Sequence, residues 1–449
     1  MWYKYGSCIW QDFSFDPDNN NYYMTRGFYI IMAAQFFSAL ADNALLIASI
    51  ALLIDFFQRP DLSPLLKFYF TISYVVLAPF VGAFADSMPK GRVMFISNAI
   101  KISGCFLLLL DIDPLLAYGI VGLGAAAYSP AKYGIVTEML PPKDLVLANA
   151  WIEGLTVCAI ILGTVVGGLL ITPSVNGLFA KIDIPNIETG IDTPPEIAIA
   201  VIAFFYLFAA LFNLYVPNTG VDHKPVHRNP WYLIRDFSHC VKILWLDKLG
   251  QISLAVTTLF WAAGATLQFI VLDWAKAALH LPLDKASMLQ GVVAIGVAFG
   301  ALMAARLVPI QSAIKVLPVG ALMGVLVISM IGLSSLPWAV ALLILIGASA
   351  GFFVVPMNAL LQHRGHILVG SGHSIAVQNF NENVGILIMV GTYYLLSKAN
   401  VSTNGVVVIF GLFTTFTMLM IMNWYRCNVM RNGPEIQKLL DVARNSSHS

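Results

Sequence analysis

Charge is what this sequence has least of. Asp, Glu, Lys and Arg make up 11% of its 449 residues, against 58% hydrophobic. A soluble domain carries about a quarter charged residues, so a soluble enzyme or binding module is excluded. Basic excess is also missing. The net charge is +1 and no basic run or tail is present, which leaves no footprint for nucleic acid. Cysteine is sparse and scattered: Cys8, Cys105, Cys158, Cys240 and Cys427 stand singly with no CxxC pair, so neither a disulfide framework nor a metal site is expected. There is no G-x-S-x-G elbow, no P-loop, no GxGxxG followed by an acidic residue and no H-x4-D pattern. Catalysis, ATP-driven pumping and a bound cofactor are therefore not expected. Residues 1–26 lack a basic segment followed by a short apolar core, so they read as an N-terminal extension rather than a cleaved signal peptide, with Met24 a second candidate start.

What the chain has instead is apolar runs of spanning length from end to end. Crossing a hydrocarbon core of roughly 30 Å takes about 20 helical residues. The runs are continuous, not alternating, which predicts an all-α integral membrane protein and excludes an outer-membrane barrel. Gly, Pro and charge punctuation gives twelve spans, at roughly 27–56, 65–86, 92–110, 114–138, 145–172, 197–216, 250–279, 285–308, 312–334, 337–361, 369–397 and 403–426. The expected organisation is an N-terminal six-helix bundle (27–216), a polar linker (217–249), a C-terminal six-helix bundle (250–426) and a tail (427–449). With Lys101 and Lys132 set aside as lying in or beside spans, the loop Lys and Arg residues concentrate on the side of both termini and the linker. The positive-inside rule places that side in the cytoplasm.

Six plus six spans about a basic linker is the layout of transporters built from two pseudo-symmetric halves. The sequence supports this with a weak internal repeat. Pro130 precedes Lys132 by two residues in the fourth span, and Pro356 precedes Asn358 by two in the tenth. Asn149, Trp151 and Glu153 in the fifth span recur as Gln378, Phe380 and Glu382 in the eleventh.

Within this apolar background, buried polar residues point to a site. In the first span Asp42 and Asn43 lie about 13 residues, or roughly 20 Å, from its start. A carboxylate at that depth costs on the order of 3 kcal/mol and requires a partner. The eleventh span sets Gln378, Asn379, Asn381, Glu382 and Asn383 into six positions, with Gln378 and Glu382 on one helical face. Lys132, beside Tyr128, Pro130 and Tyr133, reads as an inward-facing cation. Glu153 is a further acid within a span, followed by Gly163, Gly167 and Gly168, which suit close helix packing. Gln268 is placed to line a cavity from the seventh span. Asp273 and Lys276, three apart, are expected to pair with each other, and His363 and His366 to lie in a solvated turn. Asp42 is expected to find its partners in Lys132 and the amide-rich face of the eleventh span.

The loop after the second span, Gly82-Ala-Phe-Ala-Asp86-Ser-Met-Pro-Lys90-Gly-Arg92, resembles the signature loop of the major facilitator superfamily, with Pro89 where that loop carries Gly. The resemblance implies a gating role for Asp86, Lys90 and Arg92. The stretches QFFSALADNALL, GAFADSMPKGRVM, GAAAYSPAKYGI, GFFVVPMNALLQHRG and AVQNFNEN are more narrowly similar to the bacterial lysophospholipid transporters of that superfamily, over residues 27 to 425. That resemblance implies an inner-membrane flippase moving lysophosphatidylethanolamine, and lysophosphatidylglycerol, from outer to inner leaflet; a monomer is expected. It also implies a functional link to a cytoplasmic acyl-ACP-dependent acyltransferase. Carried over by position, the headgroup site would comprise Asp42, Asn43, Lys132, Asn358, Gln378 and Glu382. The residues themselves add Tyr133, Glu153, Gln268 and Asn379. Two departures stand out: Gln268 where many members have Arg, and a longer outer loop over 173–196. The alternative reading is a proton-coupled carrier of a small polar solute or drug, using the same carboxylates.

Overall fold

A computed structural model describes residues 26–55, 58, 63–110, 112–172, 193–221, 229–281 and 283–445. The N-terminal extension and most of the long outer loop lie outside them. All regular structure among these residues is helical. The helices are α1 (Arg26–Asp55), α2 (Ser63–Val76), α3 (Ala78–Asp86), α4 (Lys90–Leu109), α5 (Pro114–Met139), α6 (Leu145–Leu170) and α7 (Pro194–Leu214). There follow α8 (Pro230–Leu246), α9 (Gly250–Ala278), α10 (Leu283–Leu307), α11 (Leu317–Ile328), α12 (Leu336–Val369), α13 (Ser371–Lys398) and α14 (Thr403–Asn445).

Nine of the described helices are long and apolar enough to cross a membrane, and α2 with α3 makes a tenth bent by 63°. The bend falls where Pro79 opens α3, a position that tolerates the missing N–H. Neither α5 nor α13 is among the ten. They coincide with the fourth and eleventh expected spans and carry the polar residues that a membrane crossing must shelter. Proline and a side-chain cap start α5: Asp113 accepts from the N–H groups of Leu115 and Leu116 ahead of the run that opens with Pro114.

Three boundaries differ from the sequence reading. The linker is expected to be polar but contains α8, whose Leu233, Phe237, Cys240 and Leu244 are buried at helical spacing. They pack against α3, α9 and α13, with Phe237 edge-on to Phe380. The tenth span continues to Val369, so His363 and His366 lie within α12, His363 being buried. The last helix runs on past residue 426 and breaks only at Asn432.

Close approaches at two places hold the helices. Gly163 and Gly167 on α6 meet the backbone of α1, where an added Cβ would lie 2.5 Å from the carbonyl oxygen of Leu40 and 2.7 Å from that of Ala44. Gly168, by contrast, faces open space. Gly296 and Gly300 on α10 interlock in the same way with Gly347 and Gly351 on α12.

Candidate functional site

Asp42 does find a cation, but it is Lys101 of α4 and not Lys132. The Lys101 ammonium lies 2.8 Å from both carboxylate oxygens of Asp42 and donates to Ser38 Oγ at 3.0 Å. Tyr206 of α7 donates its hydroxyl to Asp42 Oδ1 at 2.7 Å, and Ser38 donates to Asn98 at 2.9 Å. The rings of Tyr128 and Tyr206 flank the ammonium at 5.1 and 5.3 Å. Ser38 and Asp42, one turn apart on α1, face Asn98 and Lys101 on α4, so complementary turns of two helices meet. The ammonium shares its three protons among these acceptors, which makes a buried pair tolerable. Asn43 turns away: its amide donates to the carbonyl of Ala39 on its own helix, beside the α6 glycines.

A second network crosses between the two sets of spanning helices. Asn358 of α12 donates to Glu153 of α6 at 3.4 Å, and Gln378 of α13 donates to Asn358 at 3.0 Å and to Glu382 at 2.7 Å. All four are buried. The two acids of the internal repeat thus meet through one pair of amides. One turn along α6, Asn149 and Gln362 exchange two amide hydrogen bonds of 2.9 Å each. Asn379 donates to Ser129 of α5 at 2.9 Å. Lys132 lies over the Tyr133 ring at 4.2 Å, within the electrostatic reach of Glu153, Asp42 and Glu382. Of the remaining amides in the eleventh span, Asn381 accepts from Trp245 of α8 and Asn383 bonds its own helix.

Glu153 also borders an apolar cavity of about 240 Å³. Its walls come from α6 (Ile160), α9 (Phe260, Leu267), α10 (Val293, Val297) and α14 (Phe410). Gln268 lines it as expected, donating to Gln290 at 2.9 Å. A charged seam and an apolar chamber therefore share one residue.

The end of the molecule carrying Asp86 is closed. Asp86 accepts from the backbone N–H groups of Gly372 and His373, at the start of α13, at 2.8 and 3.1 Å. His373 lies between two carboxylates, with Nδ1 2.7 Å from Asp86 and Nε2 3.2 Å from Asp236 on α8. Lys90 reaches Asp86 at 2.7 Å and Glu138 at 3.3 Å, and Glu138 also accepts from Ser371 and Thr219 at 2.8 Å. Pro89 fits as the residue capping α4, with φ −51°. Arg92 is exposed and makes no ion pair among the described residues. Glu138, His373 and Asp236 went unnoticed in the sequence, since each is an unremarkable loop-side residue until the fold brings them together.

Other pairings also depart from expectation. Asp273 accepts from Tyr393 instead of pairing with Lys276. Arg364 forms a two-pronged pair with Asp247, at 2.6 and 3.2 Å, that ties α12 to the start of α9. Cys105, Cys158 and Cys427 are free thiols, and Cys240 lies near Asp236 and His373, their donor atoms all within 4.8 Å.

Bundled spanning helices, a polar seam between them and a charged clasp at one end are the parts of a secondary transporter. The model of the Major Facilitator Superfamily matches residues 31–389. The fold is similar to the crystal structure of the human organic anion transporter MFSD10 (TETRAN), with a TM-score of 0.68, 15% identity, and 89% of this chain and 99% of that one covered. It is also similar to a bacterial homologue of the iron transporter ferroportin in outward-facing state, with a TM-score of 0.67, 12% identity and the same shares covered. In sequence, the chain is 41% identical over 380 residues to the lysophospholipid transporter LplT of Yersinia enterocolitica, covering 84% of this chain and 89% of that one. To LplT of Yersinia pestis (strain Pestoides F) it is 41% identical over 377 residues, covering 84% and 88%. The chain belongs to the major facilitator superfamily and, within it, to the family of these lysophospholipid transporters.

Proposed function

We propose that this protein carries lysophosphatidylethanolamine, and lysophosphatidylglycerol, from the outer to the inner leaflet of a bacterial inner membrane by alternating access. The observation that carries this reading is Glu153, which belongs both to the buried polar seam and to the wall of the apolar cavity. A single-chain lipid needs such a junction: charge complements for its headgroup and an adjoining oily path for its chain. Lys132 is a compact cation for the phosphate, and Glu153 or Glu382 an anion for the ethanolamine ammonium. Asn358, Gln378 and Asn379 fill the remaining hydrogen bonds. Asp42, engaged by Lys101, braces the first set of helices beside this site. The twelve-span count follows if α5 and α13 cross with the others, their polar faces turned to the seam. The clasp of Asp86, Lys90 and Glu138 is the gate on the side of the termini, which the basic loops place in the cytoplasm. The transported lipid would there be re-acylated by the acyl-ACP-dependent enzyme, and one chain suffices for the whole path.

The test is uptake of labelled lysophosphatidylethanolamine by spheroplasts lacking their own transporter. Lys132→Gln and Glu153→Gln proteins, at equal expression, are expected to lose more than tenfold of the rate, since removing one partner of a buried charge contact costs about 2–5 kcal/mol. Wild-type rates in both would overturn the site. The second reading, a proton-coupled carrier of a small polar solute, draws on Glu153 and Glu382, which no basic side chain contacts by hydrogen bond among the described residues. Lysophospholipid uptake that persists with an uncoupler rejects it.

A further inference from the structure

A cavity of about 700 Å³ lies far in sequence from the seam, in the elbow where α14 breaks. Asn432 leaves helical geometry (φ −135°, ψ 31°), its amide donates to Glu435 at 3.1 Å, and Pro434 cannot continue the ladder. Beyond the break, Ile436 and Leu440 are buried one turn apart, so the second segment is pinned against the protein. The 3₁₀ turn Ile310–Val316 closes the other side of the elbow.

Two cations look into this cavity, Lys315 from the turn and Arg426 from α14. Neither has an acidic partner among the described residues. Gln311, Ser312 and Gln437 add neutral hydrogen-bonding groups, while Met422 and Leu440 supply apolar wall. Trp424 and Tyr425 mark the depth at which the apolar part of α14 ends, the level of lipid headgroups. Two cations without an acidic partner among the described residues, hydroxyl and amide groups, and an oily wall at headgroup depth match one chemistry: a phosphodiester joined to a glycerol and acyl chains. A free phosphate would leave the apolar wall unused.

We propose that this elbow is a binding site for an intact anionic diacyl phospholipid, of the phosphatidylglycerol class, drawn from the leaflet on the side of the termini. The phosphate sits between Lys315 and Arg426, the headgroup hydroxyls meet Gln311, Ser312 and Gln437, and the chains lie along Met422 and Leu440. Basic pockets at this depth bind anionic headgroups through such contacts. The site is separate from the transported lipid's path.

The experiment uses the full chain in neutral-lipid nanodiscs, titrated with phosphatidylglycerol, phosphatidylcholine or inorganic phosphate. Binding is read by native mass spectrometry and by the thermal unfolding midpoint. Wild type is expected to bind phosphatidylglycerol in preference to phosphatidylcholine and to be stabilised by it. Lys315→Gln/Arg426→Gln is expected to weaken that binding on the order of tenfold, with phosphatidylcholine unchanged. Should the double variant misfold, each single change is expected to weaken binding about threefold. Lys132→Gln, which tests the transport site, is expected to leave phosphatidylglycerol binding intact, so the two readings fail separately. Equal affinity in wild type and variant overturns the proposal. So does inorganic phosphate that stabilises as strongly as the lipid, which would assign the cations to a soluble phosphoanion.

Discussion

The carboxylate of Asp42 shows how far a single residue can be read from sequence. Its cost demands a partner, and that demand was legible; the partner's identity was not, because Lys101 and Lys132 both lie in or beside spans and nothing local chooses between them until α4 is laid against α1. The side chain of Lys101 is 1% exposed and that of Asp42 21%. Removing Lys101 should therefore leave a mostly buried, unpaired acid, at a cost of about 3 kcal/mol, the lower end for such pairs. Lys101→Met is expected to lower the detergent melting temperature and the monodisperse fraction on size exclusion. Adding Asp42→Asn should restore both. A double variant no more stable than the single would contradict the pairing. Glu153 and Glu382 stood out in the sequence, since acids inside apolar runs announce themselves, but their link through Asn358 and Gln378 needed the fold.

Helix against helix, the fit depends on small residues and on ends. Where α10 and α12 touch through Gly296, Gly300, Gly347 and Gly351, Gly351→Leu should force the two apart and destabilise the protein by about 1–3 kcal/mol or more. Gly168→Ala, with nothing within 4 Å, is the neutral control, and melting curves of the two distinguish them. At the clasp, a Cβ on Gly372 would sit 2.5 Å from Asp86 Oδ1. Gly372→Val should thus pry α13 from α3, while His373→Ala releases Asp86 and Asp236 together. Thiol labelling of Ser371→Cys is expected to quicken on the order of tenfold in either background, as one or two charge-assisted hydrogen bonds are lost. Unchanged labelling would mean that the clasp does not hold this end shut. The positions of the spans were legible because apolar length is a strong signal. The helix within the linker was legible in principle, from Leu233, Phe237, Cys240 and Leu244, but its polar surroundings masked that spacing. The clasp drew on residues as distant as Asp86, Glu138, Asp236 and His373, and no local pattern joins them.

For the whole molecule, on the proposed reading, the division between a polar seam and an apolar chamber sets what can be carried. Ala294→Trp, which fills the chamber from α10, is expected to slow uptake of long-chain lysophospholipids more than short-chain ones; equal slowing of both would mean that the acyl chain travels elsewhere. The seam has a further consequence. One turn from Glu153 toward the start of α6, Asn149 and Gln362 join the two sides by a pair of neutral, mutually donating amides, while the clasp at the end is built of full charges. Ions in the surrounding solution weaken charge pairs near water within a Debye length of about 8 Å under physiological conditions, and hardly touch a dry amide pair. At the clasp, however, Lys90 and Glu138 are themselves only 2% and 3% exposed, so dissolved salt reaches their contact weakly as well. On the proposed reading, a competing hydrogen-bonding ligand, and not a change of salt, is the key that opens the path.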